Sequence, residues 1–319
     1  MNELGAKGEP FVFIIDFLKE KPLLFLPDEL DQEDIRIDIP GLTNFERRRP
    51  GASEFYFRKF PVDFNTYRNA FEKVLTSIRR GDTFLLNLTF PTLIETSLSL
   101  DDIFHLSRAK YRLKLKDRFV VFSPEPFVVT RKNSISTFPM KGTIDAGIER
   151  AEEKLMNDPK EIAEHNTIVD LLRNDLNMVS EKVRVEKFRF IEEIRTHEKT
   201  ILQTSTSITG QLSPDWQNRI GDILFRMLPA GSICGAPKRK TVEIIREIEM
   251  DDRGYFTGVF GYFNGSELNS AVMIRFIERR DDGLYFRSGG GITHFSECQK
   301  EYRELIDKVY VPVIHNDQP

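Results

Sequence analysis

Six segments crowd β-branched and aromatic residues between turn signals, and they limit the fold more than any other feature of the chain. They are Phe11 to Ile15, Thr83 to Leu93, Phe119 to Thr130, Val183 to Ile194, Tyr255 to Phe263 and Ser270 to Glu278. Asn264-Gly265 and Asp282-Gly283 are dipeptides that close tight hairpins, so neighbouring strands pair antiparallel without an intervening helix. Helices fall between the strands. Phe64, Tyr67, Phe71, Val74, Leu75 and Ile78 make one apolar stripe that ends at Gly81. Ser99 and Asp102 have capping-box spacing, and further helices are expected over about 160–176, from Pro237 onward and over about 297–309. The pattern predicts an α+β fold built on largely antiparallel sheet.

With 319 residues, 40 % of them hydrophobic, the chain can bury a large core. No fixed-period repeat or low-complexity stretch divides it, so a single continuous domain over 1–319 is expected. The 46 basic and 50 acidic side chains are spread along the sequence and give nucleic acid no basic face to bind. Cys234 and Cys298 lie in no C-x-x-C pattern, so they read as two reduced thiols rather than a zinc site or a disulfide. Glu3 and Glu9 precede an apolar run that Asp16 interrupts, far short of the ~20 residues a spanning helix needs. A cytoplasmic protein with no membrane segment is expected.

Glu161 and Glu164 stand three apart on one predicted helix, and Glu301 and Glu304 repeat that spacing on another. Each pair projects from one face of its helix. The plainer reading is two solvated acidic faces; against it, Glu164 opens the apolar run Ile168, Val169, Leu171 and Leu172. Four converging carboxylates would repel unless a hard divalent cation sat among them, and magnesium is the natural candidate.

Gly231-Ser232-Ile233-Cys234-Gly235-Ala236-Pro237-Lys238 leads into a helix and could dock an anion, although it fits neither nucleotide-binding glycine pattern. Gly289-Gly290-Gly291 marks either a tight turn or close approach of backbone to a ligand. Lys141, in Pro139-Met140-Lys141-Gly142-Thr143, ends a predicted strand, where a side chain can reach a cleft.

Together these segments resemble the chorismate-utilising enzymes, the family of anthranilate synthase component I, aminodeoxychorismate synthase component I, isochorismate synthase and salicylate synthase. The matching motifs run in the family's order: 81–89, Ser123-Pro124-Glu125, Lys141-Gly142-Thr143, Glu161 to His165 continuing into 170–176, Gly231 to Lys238, Arg253 to Tyr262, Ile274-Arg275 and 289–308. The match covers about 60–310.

The resemblance implies two large antiparallel β-sheets packed as a sandwich with helices outside. It implies that Glu161, Glu164, Glu301 and Glu304 hold magnesium, directly or through water, and that the ion meets the ring carboxylate of chorismate. Arg275 and Tyr262 would bind the enolpyruvyl carboxylate. Thr143, Gly231, Ser232, Gly235, Gly289, Gly290 and Gly291 would approach the ligand, and Lys238 would add charge. Glu125 would be the general acid for the departing hydroxyl.

Aminodeoxychorismate synthases resemble this chain in having lysine before the Gly-Thr of the 141–143 motif, where anthranilate synthases have alanine. The lysine form implies a covalent amine adduct at ring C2, displaced by ammonia at C4. The resemblance therefore implies a transferase making 4-amino-4-deoxychorismate for para-aminobenzoate and folate biosynthesis, with ammonia supplied by a separate glutamine amidotransferase subunit. Anthranilate synthase component I is the enzymatic alternative, and a non-catalytic chorismate-binding paralogue is another.

Isochorismate and salicylate synthases carry a water-activating lysine where this chain has Leu85. Leu85, Gln203 and Cys234 depart from the family pattern, replacing a usual glutamine, histidine and hydroxyl residue respectively. No tryptophan-binding motif for feedback control is found in 1–61.

Overall fold

The computed structural model describes residues 1–46, 55–195 and 200–311. Alternation along the strands decides how the layers form. All five side chains of Phe11–Ile15 are buried, yet they serve two cores. Phe11, Phe13 and Ile15 pack with Trp216, Ile220 and Leu224, while Val12 and Ile14 pack with Ile37, Leu113 and Val121. Successive strand residues point to opposite faces, so the strand carries a helical layer on one side and a second sheet on the other.

The first sheet runs in the order Met140–Asp145, Thr200–Gln211, Ser134–Thr137, Pro126–Arg131, Leu268–Val272, Val259–Phe263, Phe11–Ile15, Leu23–Phe25, with Glu181–Arg195 also paired to Thr200–Gln211. The second runs Gly235–Ala236, Leu85–Thr96, Gly283–Ile292, Phe276–Arg280, Phe119–Ser123, Tyr111–Leu115, Ile35–Ile39, Leu42–Thr43, with Phe57–Phe60 against Leu85–Thr96. The pairings are antiparallel.

Helices Pro159–Asn177 and Ile220–Met227 cover the first sheet. Helices Phe64–Arg79, Lys238–Ile248 and Cys298–Asp307 cover the second. This is the sandwich with external helices. Among the described residues no helix is long and apolar enough to cross a membrane.

Local signals read from the sequence are realised in the backbone. Ser99 and Asp102 form a reciprocal capping box, and Gly81 takes φ +81°. Two segments that read as single strands are each two. Phe119–Ser123 lies in the second sheet and Pro126–Arg131 in the first, while Leu268–Val272 lies in the first and Phe276–Arg280 in the second.

The chain changes sheet at Pro124, which has no N–H to continue a ladder, and again near Arg275, which adopts φ +54°. The crossings are tied together. Phe122 N donates to Arg275 O at 3.1 Å, and Val272 N donates to Glu125 O at 3.1 Å. Glu125 and Arg275 therefore emerge side by side between the sheets.

Candidate active site

A bulge aims Lys141. Where Met140–Asp145 pairs with Thr200–Gln211, the register slips between Lys141 and Thr143, and Gly142 takes φ +71°. A bulge bends its strand and re-aims the side chains beside it. Thr204 Oγ1 donates to the Lys141 carbonyl, which holds the distortion in place. A Cβ at 142 would also stand 2.8 Å from Glu161 Oε2 and would push that carboxylate aside.

The three glycines are strand rather than turn. Gly289, Gly290 and Gly291 pair with Thr89, Leu88 and Asn87. A Cβ at Gly291 would lie 3.6 Å from Lys141 Nζ, and one at Gly290 would lie 3.4 Å from Glu301 Oε2 and 3.7 Å from Glu304 Oε1. The missing side chains let this strand pass between the lysine and the second glutamate pair.

A cavity of about 280 Å³ opens here, lined by Glu125, Lys141, Gly142, Thr143, Ser232, Arg275, Arg287, Gly289, Glu304 and Lys308 among others. It is near the small end of the range for small-molecule sites. Its lining sets four cations, Lys141, Arg275, Arg287 and Lys308, against two carboxylates, Glu125 and Glu304.

Burial pushes the Glu125 carboxyl above its ordinary value, opposed by the Ser232 hydroxyl and by the charges of Lys141, Arg275 and Lys308. Ser232 Oγ donates to Glu125 Oε1 at 2.6 Å. Lys308 bridges Glu304 at 2.6 Å and donates to Gly289 O at 2.8 Å. Burial lowers its pKa, and Glu304 opposes that shift. A cavity so lined favours a small, multiply charged anion and holds a carboxyl that resists ionisation.

Other expected site residues lie elsewhere. Tyr262 pairs with Val12 and packs with the Ile37 and Leu113 core between the sheets; strand alternation turns it away from the cavity, whose lining includes Phe256 and Thr257 instead. Lys238 is committed to Asp175 at 2.7 Å, a carboxyl that burial raises to about 6 against the pull of that lysine.

Gly231 and Gly235 serve close packing. A Cβ at Gly231 would stand 2.8 Å from Asp175 Oδ2, and one at Gly235 would stand 1.9 Å from Leu85 O. Of the 231–238 segment, the cavity receives Ser232 and Ile233. Cys234 is fully buried in the helical layer of the second sheet, where burial raises its thiol to about 11.

Glu164 borders a neighbouring cleft with Phe84, Thr293, His294 and Phe295. The glutamate pairs thus approach from two walls, one behind Gly142 and one behind Gly290. Among the described residues, no group of three or more His, Cys, Asp or Glu side chains stands together as a metal site. The donor chemistry, hard carboxylate oxygen on both walls, nevertheless suits magnesium better than a softer metal. Two larger clefts, about 650 Å³ around Asn177 and Arg226 and about 600 Å³ around Arg118 and Arg280, contain none of these glycines or glutamates.

Sequence reasoning did not assign roles to Asn87, Phe256, Arg287 or Lys308. For Lys308 a signal existed: it lies four residues after Glu304, on the same helical face. A buried ion pair supports the wall behind them. Arg253 meets Glu249 at 2.7 Å and donates to Asn87 O at 2.6 Å and Ile233 O at 3.1 Å. Glu249 in turn accepts from Thr89 N and Oγ1. These contacts join the two backbone stretches that carry Asn87 and Ser232.

A cation-lined cavity between two sheets, with a lysine beside a carboxyl that resists ionisation, is the kind of site an enzyme uses on a small acidic substrate. Residues 26–313 match the family model described as chorismate binding enzyme, and the chain belongs to that family. It is 51 % identical over 312 residues to an uncharacterized PabA-like protein of Haemophilus influenzae, covering 98 % of this chain and 95 % of that one. It is 30 % identical over 288 residues to aminodeoxychorismate synthase component 1 of Bacillus subtilis, covering 86 % of this chain and 59 % of that one. The menaquinone-specific isochorismate synthase of Escherichia coli superposes with a TM-score of 0.73 over 96 % of this chain and 78 % of its own, at 16 % identity. That likeness concerns the fold.

Proposed function

We propose that this chain aminates chorismate with ammonia, giving 4-amino-4-deoxychorismate for para-aminobenzoate and folate biosynthesis. The observation that carries the reading is Lys141, re-aimed by its bulge into a cavity that also holds Glu125 and an excess of cations. Similarity to an aminodeoxychorismate synthase component 1 supports it. Leu85 is 2 % exposed, and its Cδ1 would lie 3.0 Å from a Cβ at Gly291. Hydrocarbon thus stands where the water-activating lysine of the hydrating relatives would be, which disfavours water as nucleophile.

In this mechanism the amine nitrogen of Lys141 adds at ring C2, and the diene electrons shift toward C4. The C4–O bond breaks as Glu125 gives its proton to the departing hydroxide, which leaves as water. Ammonia then adds at C4, the electrons shift back, and the C2–N bond breaks to return Lys141. Arg275 holds the enolpyruvyl carboxylate. Glu161, Glu164, Glu301 and Glu304 would hold magnesium, directly or through water, and the ion would offset the substrate's charge at its ring carboxylate. Ammonia comes from a separate glutamine amidotransferase.

Incubation with chorismate, magnesium and ammonium tests the reading: 4-amino-4-deoxychorismate is expected, and fluorescent anthranilate as the main product would overturn it. Glu125→Gln should lower kcat by roughly 10²- to 10⁴-fold. The acid works protonated, so wild-type activity should fall as pH rises through the Glu125 pKa, which lies above 4.5. That limb should vanish from the pH–rate profile of Glu125→Gln.

A further inference from the structure

The register of the glycine strand leaves one buried charge without a role. Residues two apart on Gly283–Ile292 share a face, so Arg287 stands on the same face as Gly289 and Gly291, and it lines the cavity. Its side chain is 1 % exposed and its Nη1 lies 3.4 Å from Glu278 Oε1. Arg280 holds that same oxygen more closely, at 2.7 Å. The guanidinium lies 5.3 Å from the Phe256 ring centroid, and among the described residues its buried Nε has no hydrogen-bond partner. Removing a guanidinium this far from water is costly unless its donors are met.

We propose that Arg287 is a second substrate-recognition arginine, receiving the side-chain carboxylate of the bound dianion at the floor of the cavity, with Arg275 on the same group. The assignment rests on the reading of the ligand as chorismate. Gly289, beside Lys308 and Glu304, marks the end for the ring carboxylate. Arg287 lies two residues along the strand, about 7 Å away, a spacing that suits a ligand carrying a second carboxylate on a short substituent. Such a carboxylate would supply the acceptor that Nε lacks and neutralise the Arg287 guanidinium, whose contact with Glu278 is shared with the closer Arg280.

Calorimetric titration of wild type, Arg287→Gln and Arg287→Lys tests this in magnesium buffer, with chorismate and with 4-hydroxybenzoate as a ring monocarboxylate. Arg287→Gln should bind chorismate roughly 10- to 100-fold more weakly, with 4-hydroxybenzoate changed by less than about twofold. Arg287→Lys keeps the charge but not the fork and should fall between; it decides the matter alone if the glutamine variant does not fold. Unchanged chorismate affinity overturns the assignment, as does equal loss for both ligands, which would make Arg287 a prop for Phe256 and Glu278. Wild-type protein that binds no chorismate overturns the functional reading itself, and this assignment with it.

Discussion

Replacing Lys141 with alanine should leave magnesium-dependent chorismate binding nearly intact while lowering 4-amino-4-deoxychorismate formation by at least about 1000-fold, the scale on which enzymes lose a nucleophile. On the proposed reading binding and chemistry separate, because Arg275, Lys308 and the glycine strand, which line the cavity, would hold the anion, whereas Lys141 alone would supply the reacting amine. The small side chain also leaves the bulge intact, since Gly142 and the Thr204 hydrogen bond to the 141 carbonyl are untouched. Alanine makes the motif that of an anthranilate synthase, yet little anthranilate is expected, because Leu85 and Gln203 remain. Chromatographic product analysis beside a binding titration checks both halves of the prediction.

Replacing Glu164 or Glu304 with glutamine should reduce turnover by on the order of 100-fold or more and weaken chorismate binding, because each supplies a carboxylate to the proposed magnesium. Glu161→Gln and Glu301→Gln should be milder if they act through water. For Glu304 a second effect is built into the fold. It neutralises Lys308 at 2.6 Å, so its loss also frees an ammonium that bonds the Gly289 carbonyl. Titrating activity against magnesium in each variant distinguishes these effects: a weakened metal site is rescued by excess magnesium, and a disturbed lysine is not. Full activity of wild type in chelator would rule the ion out.

The sequence made the layers legible because burial leaves periodic traces. The unbroken apolar run Phe11–Ile15 follows from a strand buried on both faces, and the stripe from Phe64 to Ile78 from one side of a helix facing a core. The crossings were illegible for the same reason. The strand residues that lead into and out of these crossings, Phe119 to Phe122, Phe127 and Val128, Ala271 to Met273, Phe276 and Ile277, are apolar and buried, so nothing in their periodicity reports that the chain has changed sheet.

The expected site residues that lie outside the cavity lining have a related cause. Tyr262 follows a recognisable motif, but which face a strand residue takes depends on register, and the register places Tyr262 opposite Val12. Lys238 was read as a free charge because Asp175, its partner, lies 63 positions earlier. The catalytic candidates were easier to find. The glutamate pairs show in their i, i+3 spacing, whereas Lys141 and Glu125, each a lone charge in the sequence, stand out through the motifs 141–143 and 123–125 that resemble the family's.

The most direct measurement of the central claim is intact-protein and peptide mass spectrometry of wild-type chain mixed with chorismate and magnesium without ammonia. An adduct is predicted, equal in mass to chorismate less one water, on the peptide containing Lys141; it should be absent from Lys141→Ala and discharged by added ammonium as 4-amino-4-deoxychorismate. Formation of the 4-amino product by Lys141→Ala at the wild-type rate, with no adduct on the wild-type peptide, would contradict the account.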